Sequence, residues 1–113
     1  MAPDDTPGGF TIRPLFIDFD QYTDGDADFK KEIIGLMIEN LVELQQAVRL
    51  FSQNNEAKDF HLVCHKVKPT LDMLADQELS DTVDQLKASG ADPLRITLLD
   101  KLCGDIAQSL SKE

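Results

Sequence analysis

The chain's 113 residues carry 11 Lys and Arg against 21 Asp and Glu, a formal net charge of −10, with 42% apolar content. That is one domain with one core, too apolar for a disordered chain and too acidic to neutralise the phosphates of a nucleic acid. No apolar run approaches the ~20 residues that span a bilayer, the N-terminus lacks the basic-then-apolar order of a secretory leader, and two Cys outside Cys-x-x-Cys spacing predict neither a disulfide framework nor structural zinc, so a cytoplasmic protein is expected.

Residues 1–9 hold two Pro, two Gly and two Asp and read as a flexible tail. A single domain is expected over residues 10–113. In residues 10–23, Phe10, Ile12, Leu15, Phe16, Ile17 and Phe19 fit no single period, so a strand and a short helix packed on the main body both remain open.

From Asp24 the helical period takes over. Asp24-Gly25-Asp26 is a turn and N-cap signal with acids where the helix dipole favours them. Phe29, Ile33, Leu36, Met37, Leu41, Leu44, Val48 and Phe51 then recur at three- and four-residue steps, predicting a helix of about 25 residues that stops at Ser52-Asn55. Ile38 and Val42 lie off this stripe, where residues 10–19 or another subunit would cover them. A second helix starts near Glu56, with Phe60, Cys64, Val67, Leu71 and Leu74 inward. A third runs from Asp76 to Ser89 with Leu79, Val83 and Leu86 inward and Gly90 as its C-terminal cap. Asp92-Pro93 opens the fourth, whose stripe is Leu94, Leu98, Leu102 and Ile106 or Leu110. Four amphipathic helices with short connections predict an all-α, antiparallel up-and-down four-helix bundle with the short N-terminal segment or helix packed against it. A monomer is expected.

The second helix carries the functional signal. With Phe60 at zero on a helical wheel, the inward stripe stays within roughly 40° and His65 falls at roughly 140°, away from the core. An isolated surface His is usually bland, but here Leu62, Pro69 and Met73 lie opposite the core, a cluster that suggests a docking surface. Residues 57–69 hold Lys58, Lys66 and Lys68 against Asp59 alone, a cationic stretch in an acidic chain that suits an anionic group or an acidic partner. Pro69 breaks a local rule, since interior Pro costs about 3 kcal/mol. Either the helix ends at Lys68 or it continues kinked; the in-phase Leu71 and Leu74 favour continuity.

His65-Lys66-Val67-Lys68-Pro69-Thr70-Leu71 resembles the signature of histidine-containing phosphotransfer (HPt) domains: His, two residues, Lys, then a small residue, usually Gly. His65 matches the phosphorylated histidine and Lys68 the lysine, while Pro69 replaces the Gly. Gly25-Asp26-Ala27-Asp28-Phe29 with Ile33, Ile34 and Met37 resembles the family's first long helix, and the similarity covers about residues 16–110. The resemblance implies that His65 accepts a phosphoryl group at Nε2 from an aspartyl-phosphate on a receiver domain of a response regulator or hybrid sensor kinase, and passes it on. Lys68 offsets the phosphoryl charge. Leu62, Pro69 and Met73 form the apolar docking face, with Lys58, His61, Lys66 and Asp72 as its polar surround. No cofactor is implied, because Mg²⁺ belongs to the receiver. The chain is then a phosphoryl carrier without ATP-dependent kinase activity. An alternative is an adaptor that binds receivers or kinases without carrying phosphate.

Other readings are weaker. His61 and His65 have the i, i+4 spacing of a one-helix metal chelate, but no third ligand is evident beyond Asp72. With Gly25 at a calcium loop's glycine, the third position is Tyr22 and the twelfth Lys31, where a carboxylate is needed. Cys64 and Cys103 fall on apolar stripes, as buried inert thiols do.

Overall fold

The computed structural model describes residues 13–113; the expected tail over residues 1–9, and Phe10 and Ile12, lie outside them. Among the described residues the chain forms five helices and no strand: α1 (Phe19–Thr23), α2 (Ala27–Asn54), α3 (Ala57–Leu74), α4 (Gln77–Ser89) and α5 (Pro93–Ser111).

Three of the helices start at an aspartate cap. Asp26 caps α2, its carboxylate accepting from the Asp28 and Phe29 amides at 3.0 Å each. Asp76 caps α4 through the Leu79 amide and Asp92 caps α5 through the Leu94 amide, with Pro93 in the first turn. The turn from α1 into α2 runs through Asp24 and Gly25, both left-handed, at φ 52° and 80°. Gly accepts that conformation without steric cost. Of the segment left open between strand and helix, the described residues 13–23 form an irregular stretch followed by α1.

The four longer helices close a ring. α2 packs on α3 and α5, α4 packs on α3 and α5, and α1 rests on α2. The core is the expected stripes of α2, α3 and α4, with Met37, Leu41, Leu44, Val48, Phe60, Val67, Leu74, Leu79 and Leu86 all at 2% exposure or less. Phe51 and Phe60 stack across α2 and α3 with ring centroids 5.0 Å apart.

Two stripes differ from expectation. In α5 the buried residues are Ile96, Leu99, Leu102, Cys103, Ile106 and Leu110, while Leu94 is 82% exposed and Leu98 is half-buried. In α2, Phe29 and Leu36 face solvent, at 46% and 60% exposure. For Phe29 the reason is length: α2 has 28 residues and α3 has 18, so at about 1.5 Å per residue the first turn of α2 outruns α3, whereas Leu36 lies one residue, about 100° of helix, off the buried Met37. Ile38 packs against the core and Val42 stays 40% exposed.

The N-terminal segment is tied down by charge. The Arg13 guanidinium donates to both Asp76 carboxylate oxygens, at 2.8 and 2.7 Å, and to Glu78 at 3.0 Å. Ser109 on α5 donates to the Arg13 carbonyl at 2.6 Å. One residue thus links the start of the segment to the α3–α4 turn and to α5. Burial pushes the Asp76 carboxyl up, but the hydrogen bonds from Arg13 and from the Leu79 amide outweigh it, so its pKa lies below the ordinary value.

Asp76→Asn keeps a capping side chain but removes the charge facing Arg13, and is expected to cost about 2 kcal/mol in urea unfolding at pH 7. Because the folded pKa is depressed, this stabilisation is present above the ordinary carboxylate value near ~4 and is lost as pH falls through the folded pKa. The difference between wild type and Asp76→Asn should therefore shrink below about pH 4. A gap unchanged down to pH 2 would show that the charged pair is not its source.

Candidate functional site

The site is built on α3. Burial of Phe60, Cys64, Val67, Leu71 and Leu74 turns this face of the helix to the core. What remains is an outward line of Lys58, Leu62, His65 and Pro69, all exposed and spaced four, three and four residues apart, which is one stripe on a helix. His65 is therefore open to solvent, with Leu62 (59% exposed) before it and Pro69 after it.

Pro69 lies inside a continuous helix that runs on to Leu74. Having no N–H, it leaves the His65 carbonyl without its usual partner four residues on. The next residue secures the helix. Thr70 is buried on the α2 side, and its hydroxyl accepts from the Asn40 amide at 2.7 Å. Beside it, Lys66 reaches α2 and pairs with Glu43 at 3.0 Å. These two contacts fasten one flank of α3 to α2 on either side of Pro69 in sequence.

Lys68 lies one turn beyond His65 on the opposite flank. It donates to both carboxylate oxygens of Asp72, at 3.0 and 3.1 Å, with both side chains more than 60% exposed. Such an exposed i, i+4 pair is weak, so Lys68 is lightly held. Lys58 has no ion-pair partner among the described residues. His61 is exposed, its ring edge-on to Phe60 with centroids 6.3 Å apart.

The structure thus brings Lys58, Leu62, His65 and Pro69 together on one face, with Lys68 and Asp72 along one side. Two of the expected docking residues sit differently. Met73 is half-buried and packs against the core instead of standing free with Leu62, because its side of α3 lies next to α2. Lys66 is paired with Glu43 across to α2, with its side chain 65% exposed. Asn40 and Glu43 escaped the sequence reading. The usable signal was Thr70, a hydroxyl next to the apolar stripe that needs a partner once buried.

The surface differs on the two sides of the His65 line. Toward α2 and the N-terminal half of α3, an apolar recess of about 160 Å³ is floored by Ala47, Leu50, Phe51, Phe60 and Val63. Toward α4, a more polar groove of about 150 Å³ contains Lys68 and Asp72. Cys64 and Cys103 are buried free thiols, pushed up by burial to about 11 and about 12, and so are poor nucleophiles near neutral pH. Among the described residues no three His, Cys, Asp or Glu side chains gather closely enough to hold a metal ion, and no helix is long and apolar enough to cross a membrane.

Comparison of the chain with protein-family models, with curated proteins and with solved structures found no match.

The Asn40–Thr70 bond makes a checkable claim. Thr70→Val preserves shape, removes the acceptor and is expected to cost about 1 kcal/mol by chemical denaturation. Asn40→Ala should cost a similar amount, and the double variant should cost less than the sum of the two. Full additivity would contradict the contact.

Proposed function

We propose that the chain is a histidine-containing phosphotransfer domain that relays a phosphoryl group between aspartates of receiver domains through His65. The fold in this reading is an antiparallel up-and-down four-helix bundle of α2 to α5. Connections of two or three residues between consecutive helices, and the backbone packing of each of these four helices on two others of the four, support that topology.

The observation that carries the reading is the placement of His65. It is an exposed imidazole at the middle of a helix face, between Leu62 and Pro69, with a lysine one turn on. A neutral imidazole nitrogen is nucleophilic near pH 7 without an activating base. In phosphoryl transfer a protein mainly positions groups and stabilises charge. The Nε2 lone pair forms the N–P bond as the P–O bond to the donor aspartate breaks, and the carboxylate leaves with the electron pair. Lys68 leaves Asp72 to offset charge on the phosphoryl oxygens. Leu62 and Pro69 give the receiver an apolar landing, with Met73 contributing its exposed edge and Lys58, His61, Lys66 and Asp72 around them. The receiver brings Mg²⁺ and the acceptor aspartate, so the chain acts as a carrier and not a kinase. A cytoplasmic monomer suits this role.

Incubation with a phosphorylated receiver domain tests the proposal. The chain should gain an acid-labile, alkali-stable phosphate that His65→Gln abolishes, and Lys68→Ala should slow the gain by roughly tenfold. A chain that binds the receiver and gains no phosphate is an adaptor, and the relay reading fails.

A further inference from the structure

The groove between α3 and α4 flanks the turn that carries His65, and lysines from both helices line it: Lys68 on α3 and Lys87 on α4. The α3 wall includes Lys68, one turn beyond His65, so Lys87 faces that lysine across a helix–helix spacing of about 8–10 Å. Burial raises the Cys64 thiol to about 11, and Lys87 acts on the same thiol in the opposite direction.

Lys87 also differs from the two lysines that follow His65 in sequence, Lys66 and Lys68. Lys66 is held by Glu43 and Lys68 by Asp72, whereas Lys87 has no ion-pair or hydrogen-bond partner among the described residues. Asp84, three residues earlier on the same wall, is its nearest acid in sequence. A cation left unpaired on the groove it shares with Lys68, in a chain of net charge −10, suits an arriving anion.

We propose that Lys87 is a second phosphoryl-holding cation, which with Lys68 straddles the groove and closes on a phosphoryl group at His65 Nε2 from the side of α4. The proposal rests on His65 being the phosphorylated residue. In the resting chain Asp72 occupies Lys68 while Lys87 stands ready. On transfer, Lys68 exchanges Asp72 for phosphoryl oxygens and Lys87 swings over the groove to meet them. The ligand chemistry is a tetrahedral phosphoryl dianion, held by two point charges on separate helices.

The test uses two phosphodonors on the whole chain. One is a phosphorylated receiver domain. The other is phosphoramidate, whose P–N bond breaks as ammonia leaves and which has no protein surface to dock. Lys87→Gln is expected to lower the rate of phosphorylation by phosphoramidate about threefold and to shorten the lifetime of phospho-His65 by a similar factor. The ³¹P resonance of phospho-His65 should shift in the variant, and Lys87→Arg should retain wild-type behaviour. If wild type gains phosphate at His65 and Lys87→Gln matches it with phosphoramidate, Lys87 does not touch the phosphoryl group and the inference is wrong. An effect confined to the receiver reaction makes Lys87 a docking contact and overturns it equally. If wild type gains no phosphate from either donor, the relay reading itself fails and takes this inference with it.

Discussion

Burial of one stripe of α3 decides where every other side chain of that helix points. Phe60, Cys64, Val67, Leu71 and Leu74 are all at 7% exposure or less, and burying each large apolar side chain is worth about 1.5–3 kcal/mol. Rotating the helix to turn His65 inward would expose that stripe, at a cost far above anything a surface contact returns. The direction of the imidazole is therefore set by residues that take no part in its chemistry. Thr70 and Lys66 then lock the helix to α2 through Asn40 and Glu43.

The same packing gives His65 two unlike neighbourhoods. On one side lie an apolar recess and the half-buried edge of Met73. On the other lies a groove with lysines from two helices. In the proposed relay, a receiver's apolar surface would meet the first side while its phosphoryl group lies toward the second. Pro69 belongs to this design. It sits on the exposed stripe, where a missing N–H frees a carbonyl near solvent, while Thr70 beside it carries the tertiary bond that keeps the helix in place.

The helical stripes of α2, α3 and α4, the caps at Asp26, Asp76 and Asp92, and the outward turn of His65 were legible because each follows from local spacing. The stripe of α5 was not. Leu94, Ile96, Leu98, Leu99 and Leu102 crowd its first turns, so several registers bury a comparable amount, and only contacts with α2 and α4 choose between them. Phe29 was placed inward because periodicity assigns a face and says nothing of how far the neighbouring helix extends, and Leu36 because it lies at the edge of its stripe, about 100° from Met37. Partners distant in the chain were invisible for the same reason. Arg13 meets Asp76 and Asn40 meets Thr70 by tertiary approach, and neither spacing nor composition marks them.

The central claim is that one of the two imidazoles, His65 and not His61, receives phosphate at Nε2. Nitrogen-15 NMR of both rings, recorded before and after reaction with a phosphorylated receiver, reads this directly. The account predicts a one-bond phosphorus–nitrogen coupling at Nε2 of His65 and an unmodified His61 ring. Coupling at His61, or at neither ring while the receiver loses its phosphate to water, would contradict it.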